Sequence, residues 1–178
     1  LAIMTIGAIS VPAYTTSTSN DYKHIINHSE ARCLIVSSND LISKALPAVL
    51  SSSKCQNIIK IEDNNKKYSE PVNIISWNKL IEDNKNLSWN AIKDKDNKKI
   101  DLKKISESHN RTDTACIVYT SGTGGNPKGV MLSHGAMLCN CAGAQELLKN
   151  LTSNMKEIRF LSWLPLSHSY EHTLQFYE

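Results

Sequence analysis
At 178 residues the chain is long enough for one ordinary hydrophobic core. Its 40% hydrophobic and 21% charged residues place it among soluble globular chains. A formal charge of +3, without interleaved aromatic and basic residues, gives no footing for a nucleic-acid partner. Leu1–Asn20 carries no charge, but its apolar part stops near Ala13, contains Pro12 and gives way to Tyr-Thr-Thr-Ser-Thr-Ser. That is shorter than the ~20 apolar residues needed to span a bilayer, and no basic signal-peptide start precedes it. The pattern predicts instead the end of a buried helix over Leu1–Ile9 and a short strand or extended link over Ser10–Tyr14. Because the sequence opens on Leu1 rather than Met, a preceding N-terminal part is expected.

Ser19 is placed to cap a helix through about His28, with Tyr22, Ile25 and Ile26 at core spacing. Ala31–Ser37 reads as a strong buried strand. Asp40 starts a helix to about Ala45 that Pro47 interrupts or ends, and Asn57–Ile61 is another short strand. Between Glu62 and Arg111, Asn, Lys and Asp dominate around two apolar islands, Val72–Trp77 and Leu80–Ile81. The islands are too small for a second core, so residues 62–111 are expected to form a polar surface excursion from a single domain spanning 1–178. Asp94, Asp96 and Asp101 interrupt the lysines of Lys93–Lys104, which marks a solvated surface rather than a binding patch.

Order resumes with a strand over Thr114–Val118, then a glycine-rich run, then Val130–Leu132 as a further strand. Ser133 caps a helix through about Lys149, whose Gly135, Ala136, Ala142, Gly143 and Ala144 would allow close packing. Arg159–Trp163 is a last short apolar strand. Strands separated by helices predict an α/β fold with a largely parallel sheet covered by helices. The five cysteines are odd in number and irregularly spaced, which argues against a disulfide framework and for buried, reduced thiols in a reducing compartment. Cys139 and Cys141 stand two apart on the predicted helix and do not face one ligand. His24 and His28 stand at i, i+4, but without a third ligand or an intervening Glu they do not make a metal site.

The run Tyr119-Thr120-Ser121-Gly122-Thr123-Gly124-Gly125-Asn126-Pro127-Lys128-Gly129 packs four glycines, three aliphatic hydroxyls and one lysine into eleven residues. Glycines let several backbone N–H groups face one anion, hydroxyls add donors, and a lysine brings a compact positive charge. The composition is that of a polyphosphate clamp. Its spacing is not Walker A, because Gly129 is followed by Val130 where Lys belongs. It is not the dinucleotide or kinase glycine loop either, because Pro127 occupies the third glycine position.

The run resembles the phosphate-binding signature Y-T-S-G-T-T-G-x-P-K-G of the AMP-forming acyl-adenylating enzymes. Gly124 departs from it, replacing the usual second threonine and removing one hydroxyl. A second stretch, Leu164-Pro165-Leu166-Ser167-His168-Ser169-Tyr170-Glu171-His172, resembles the same family's L-P-x-x-H motif, and its continuation is most like the long-chain fatty acid branch. Gly7-Ala8-Ile9-Ser10-Val11-Pro12-Ala13-Tyr14 is similar to the family's G-A-x-x-V-P-x-Y stretch.

The resemblance implies part of a large N-terminal adenylate-forming domain. It implies ATP, coenzyme A and a fatty acid as small-molecule substrates, and Mg²⁺ as cofactor. On this reading Thr120, Ser121, Gly122, Thr123, Gly124, Gly125 and Lys128 hold the phosphates, Gly124 through its backbone alone. His168 lies near the adenylate and the acyl carboxylate, positioning it or gating access. Glu171 and His172 are weaker candidates, and His134, directly after the helix cap, is read as structural. The family's later Y-G-x-T-E and T-G-D motifs, its hinge and its C-terminal lysine are not found in this sequence. An internal piece of a longer ligase, inactive alone, is therefore expected. The alternatives are an amino-acid or other carboxylate adenylation domain, or a non-catalytic nucleotide-binding homologue. A cytoplasmic location follows from the thiols, and an amphipathic substrate is compatible with peripheral membrane contact. Nothing in the sequence specifies an oligomeric state.

Overall fold
The computed structural model describes residues 2–62, 72–88, 92–94, 96–120, 126–152, 164, 165, 167, 168 and 171. In chain order the elements are α1 (Ala2–Thr5), α2 (Ser19–His28), β1 (Cys33–Val36), α3 (Asn39–Leu50), β2 (Asn57–Lys60), β3 (Asn73–Ser76), α4 (Trp77–Asn84), α5 (Leu102–Glu107), β4 (Thr114–Thr120), β5 (Lys128–Ser133) and α6 (His134–Thr152). Contacts divide the chain into two units. One comprises Thr15–Lys104 and Thr120–Lys128, the other Leu1–Tyr14, Ile105–Tyr119 and Gly129–Glu178.

The first of these units is built on a parallel sheet in the order β1-β2-β3. Its register sets Cys33 opposite Asn57, Ile58 opposite Ile74, and Lys60 opposite Ser76. The Asn73 side-chain amide donates to Asn57 Oδ1 at 3.0 Å, tying β2 to β3 at one end. Helix α2 starts one residue earlier than expected from Ser19: Thr18 is the cap, accepting from the Asp21 N–H at 3.3 Å, while Asp21 Oδ2 accepts from the Thr18 N–H at 2.8 Å. Tyr22, Ile25 and Ile26 are buried as the spacing predicts, and α2 packs on α3.

Two expectations fail in this unit, each for a physical reason. Pro47 does not end the helix, and α3 runs on to Leu50. An interior proline costs ~3 kcal/mol through its missing N–H and ring clash. Ile42, Ala45, Ala48 and Val49 on the same helix are each no more than 1% exposed. Burying side chains the size of Val or Ile stabilises by ~1.5–3 kcal/mol each, which offsets the break. Strand β1 is shorter than Ala31–Ser37 and only partly buried, because it forms one edge of the sheet: Val36 is buried, but Ile35 is 40% exposed. The stretch 62–111 also carries ordered elements. Its first apolar island supplies β3, and Ser76 caps α4 by accepting from the Lys79 N–H.

In the other unit β4 is the buried element. Ala115, Cys116, Val118 and Tyr119 lie inside, and Met4, Met137 and Leu132 pack against this cluster. Ser10 bridges to Cys116 in parallel, donating to Ala115 O at 3.1 Å and accepting from the Ile117 N–H at 2.9 Å, so Ser10–Tyr14 behaves as the extended link foreseen. The helix before it is shorter and less buried than Leu1–Ile9 suggested: in α1 only Met4 is buried, while Ile3, Ile6 and Ile9 are exposed.

Strands β4 and β5 pair in a second sheet. The residues joining them are too few for a parallel crossover, so they form a hairpin. Gly129 on β5 permits this pairing: a Cβ there would lie 2.9 Å from Ile117 Cγ2 and 3.2 Å from Tyr119 Cζ. Helix α6 is capped by Ser133, whose Oγ accepts from the Ala136 N–H at 3.1 Å. Of its small residues, Gly135 packs closely, its N–H 2.7 Å from Arg111 O, whereas Gly143 faces open space. Arg159–Trp163 lies outside the described residues.

Candidate functional site
The glycine run emerges from a strand buried on both faces up to its last residue. Val118 and Tyr119 are buried, and Thr120 is the first exposed residue. Ser121, Gly122, Thr123, Gly124 and Gly125 lie outside the described residues. The run returns through Asn126, Pro127 and Lys128, of which Lys128 is exposed and begins β5. Thr120 and Lys128 thus stand at the two loop-side ends of one hairpin, in the unit that also holds α2.

Within that unit the Pro127 carbonyl oxygen lies 2.8 Å from His24 Nε2. A carbonyl only accepts, so Nε2 carries the proton and donates. His24 also stacks on His28 with ring centroids 5.2 Å apart and planes 24° from parallel. His24, stacked on His28, thus holds Pro127 at the return of the run. Among the described residues no group of three His, Cys, Asp or Glu converges to hold a metal ion. Sequence reasoning missed the His24 contact, because only its non-local partner distinguishes it from any other helical histidine.

The second candidate element belongs to the other unit. The His168 N–H donates to Pro165 O at 2.8 Å, closing a turn that holds the half-buried His168 ring. Ser167 beside it is buried, and Glu171 is 2% exposed. A carboxylate so enclosed needs partners, and Glu171 has one. His172 lies outside the described residues. The His134 N–H donates to Asp113 O at 3.0 Å and its ring stacks on His109 at 5.4 Å.

The thiols offer no nucleophile in the interior. Burial, with the neighbouring Cys33 thiol, pushes Cys55 up to about 11, and burial also raises Cys116. Both stay protonated at neutral pH, and the thiolate is the reactive form. Cys33 and Cys139 are exposed, contrary to the expectation of wholly buried thiols. A cavity of about 380 Å³ beside His109, His134 and Met137 is lined by none of the expected site residues.

The family model of the AMP-binding enzymes matches residues 1–177. The long-chain-fatty-acid–CoA ligase ACSBG2 of Homo sapiens is 30% identical over 91% of this chain and 22% of its own length. The peroxisomal long chain acyl-CoA synthetase 6 of Arabidopsis thaliana is 28% identical over 94% of this chain and 22% of its own length. The chain thus spans less than a quarter of the length of these curated relatives. Among solved structures, a long-chain-fatty-acid-CoA ligase of Archaeoglobus fulgidus superposes with a TM-score of 0.64 at 24% identity, covering 97% of this chain and 29% of that one. The N-terminal domain of FACL13 from Mycobacterium tuberculosis superposes with a TM-score of 0.56 at 18% identity, covering 98% of this chain and 36% of that one. These likenesses show the same α/β fold.

Proposed function
The chain belongs to the AMP-binding enzyme family, and on that premise we propose that the full-length protein is an AMP-forming ligase that activates a long-chain fatty acid. A carboxylate oxygen of the acid attacks the α-phosphorus of ATP, the bond to pyrophosphate breaks, and an acyl-adenylate forms. The thiol of coenzyme A then attacks the acyl carbonyl, loses its proton, and displaces AMP to leave a thioester.

The observation that carries this reading is the hairpin of β4 and β5, which ends on exposed Thr120 and Lys128 around the glycine run. Negative charge grows on the departing pyrophosphate, so fixed donors and a nearby ammonium stabilise the transition state more than the ground state. Lys128 supplies that charge. Thr120, Ser121, Gly122, Thr123, Gly124 and Gly125 supply the cradle, with Gly124 contributing only backbone. His168, held at its turn, orients the fatty acid carboxylate or gates its entry, and is not a nucleophile. A long-chain acid is favoured by the continuation after His168 and by the curated relatives at 28–30% identity. Among the described residues no three His, Cys, Asp or Glu side chains converge as a protein-held Mg²⁺ would need.

No helix among the described residues is long and apolar enough to cross a membrane. The free thiols favour a reducing, cytoplasmic location, and an amphipathic substrate is compatible with peripheral membrane contact.

The test is fatty-acid-dependent exchange between ATP and labelled pyrophosphate by the full-length protein. Lys128→Ala is expected to lower the exchange rate by ~10²–10³, the range for losing one preorganised oxyanion donor. Unchanged exchange in that variant would overturn the assignment of Lys128, and absence of exchange in the wild type would overturn the ligase reading.

A further inference from the structure
Pro127 has no N–H, and its ring fixes φ. The orientation of the peptide joining Pro127 to Lys128 then depends on one remaining torsion, ψ of Pro127. The carbonyl oxygen of that peptide is held by His24 Nε2 at 2.8 Å, across 103 positions of sequence. Holding this oxygen fixes the peptide plane, and with it the direction of the Lys128 N–H and the position of the Lys128 Cα, from which the pairing of β5 directs the side chain.

The donor sits on a well-anchored element. Helix α2 buries Tyr22, Ile25 and Ile26 and carries a capping box at Thr18 and Asp21. The imidazole of His24 is half-buried and braced by the stacked ring of His28. A donor on a packed helix costs little further ordering when the loop takes up its ligand.

We propose that His24 is a positioning residue of the phosphate site: its Nε2–H holds the Pro127 carbonyl and so aims Lys128 at the nucleotide phosphates. This role rests on the reading of Lys128 given above. His24 touches no substrate and acts through Lys128.

The experiment is a double-mutant cycle in the full-length protein, with His24→Ala, His24→Gln, Lys128→Ala and the pair His24→Ala/Lys128→Ala. Losing one hydrogen bond of this kind is worth up to about tenfold. His24→Ala is therefore expected to lower exchange by up to about that factor, with the KM for fatty acid unchanged. His24→Gln, whose amide N–H can reach the same carbonyl, should restore most of the rate. In the Lys128→Ala background the His24→Ala change should have no further effect, because the group it aims is gone. Wild-type behaviour of His24→Ala, failure of Gln to rescue, or additive losses in the pair would each overturn the proposal.

A merely structural role would lower rates in both backgrounds and would not be rescued by an amide. If the wild-type protein binds pyrophosphate but performs no exchange, the ligase reading fails alone. The same four variants are then read on pyrophosphate affinity, with the same pattern expected. A wild-type protein that neither exchanges nor binds pyrophosphate overturns both.

Discussion

The unit built on β1, β2 and β3 fills its interior with branched aliphatics, Ile25, Ile26, Ile42, Val49 and Ile58, whereas the unit built on β4 and β5 relies on Met4, Ala115, Cys116, Val118 and Met137. Branched side chains have few rotamers and fix one packing, while methionine adapts to its surroundings. The contrast extends to the helices. Helix α3 buries one face completely, despite an interior proline, whereas the longer α6 leaves Leu138 55% and Leu147 71% exposed. The lesson is that helix length is no measure of anchoring. The described ends of the glycine run, Thr120 and Asn126 to Lys128, cluster with the aliphatic unit.

The contrast can be broken most directly at Ile58, which is fully buried on β2. Ile58→Ala is expected to destabilise the full-length protein by ~2–5 kcal/mol, the range for truncating a core isoleucine. Chemical denaturation measures it, and a loss below that range would mean that the aliphatic core is loosely packed after all. A smaller effect is expected at Gly129, where an added methyl must displace Ile117 or Tyr119. Gly129→Ala should cost ~1–3 kcal/mol by overpacking. A neutral result would show that the hairpin gives way easily and that its unit is softer than the pairing suggests. The smallest effect belongs to α6: Leu147→Gln, at an exposed position, should stay within ~0.5 kcal/mol. A larger loss would reveal that this leucine is covered in the full-length protein.

How much of this was legible in the sequence differs by element. Tyr22, Ile25 and Ile26 were readable because a helix face is a local period, and burial follows it. Pro47 misled because its penalty is local, while the compensation by Ile42, Ala45, Ala48 and Val49 depends on what the helix packs against. Ile35 misled in the opposite sense. An apolar run looks buried on both faces, but strand order decides which strand is an edge, and order is not a local property. At the glycine run, the strand leading into it was legible from its apolar residues, whereas β5 begins at Lys128, two residues before the expected Val130. Nothing in the residues around His24 announces its partner, because Pro127 is brought to it only by the tertiary fold.

That same contact sets an order of assembly. The pairings of β1 with β2 and of β2 with β3 all fall within residues 33–76, so the parallel sheet closes comparatively short loops. The contact from His24 to Pro127 closes 103 positions. Loop-closure entropy grows as the logarithm of length, which makes the longer closure costlier by about 1 kcal/mol than the one between β1 and β2. As the chain leaves the ribosome, α2 and the sheet are complete in sequence long before residue 127 emerges. The helix that holds the Pro127 carbonyl is therefore available before residue 127 exists, and a late segment docks onto an early one.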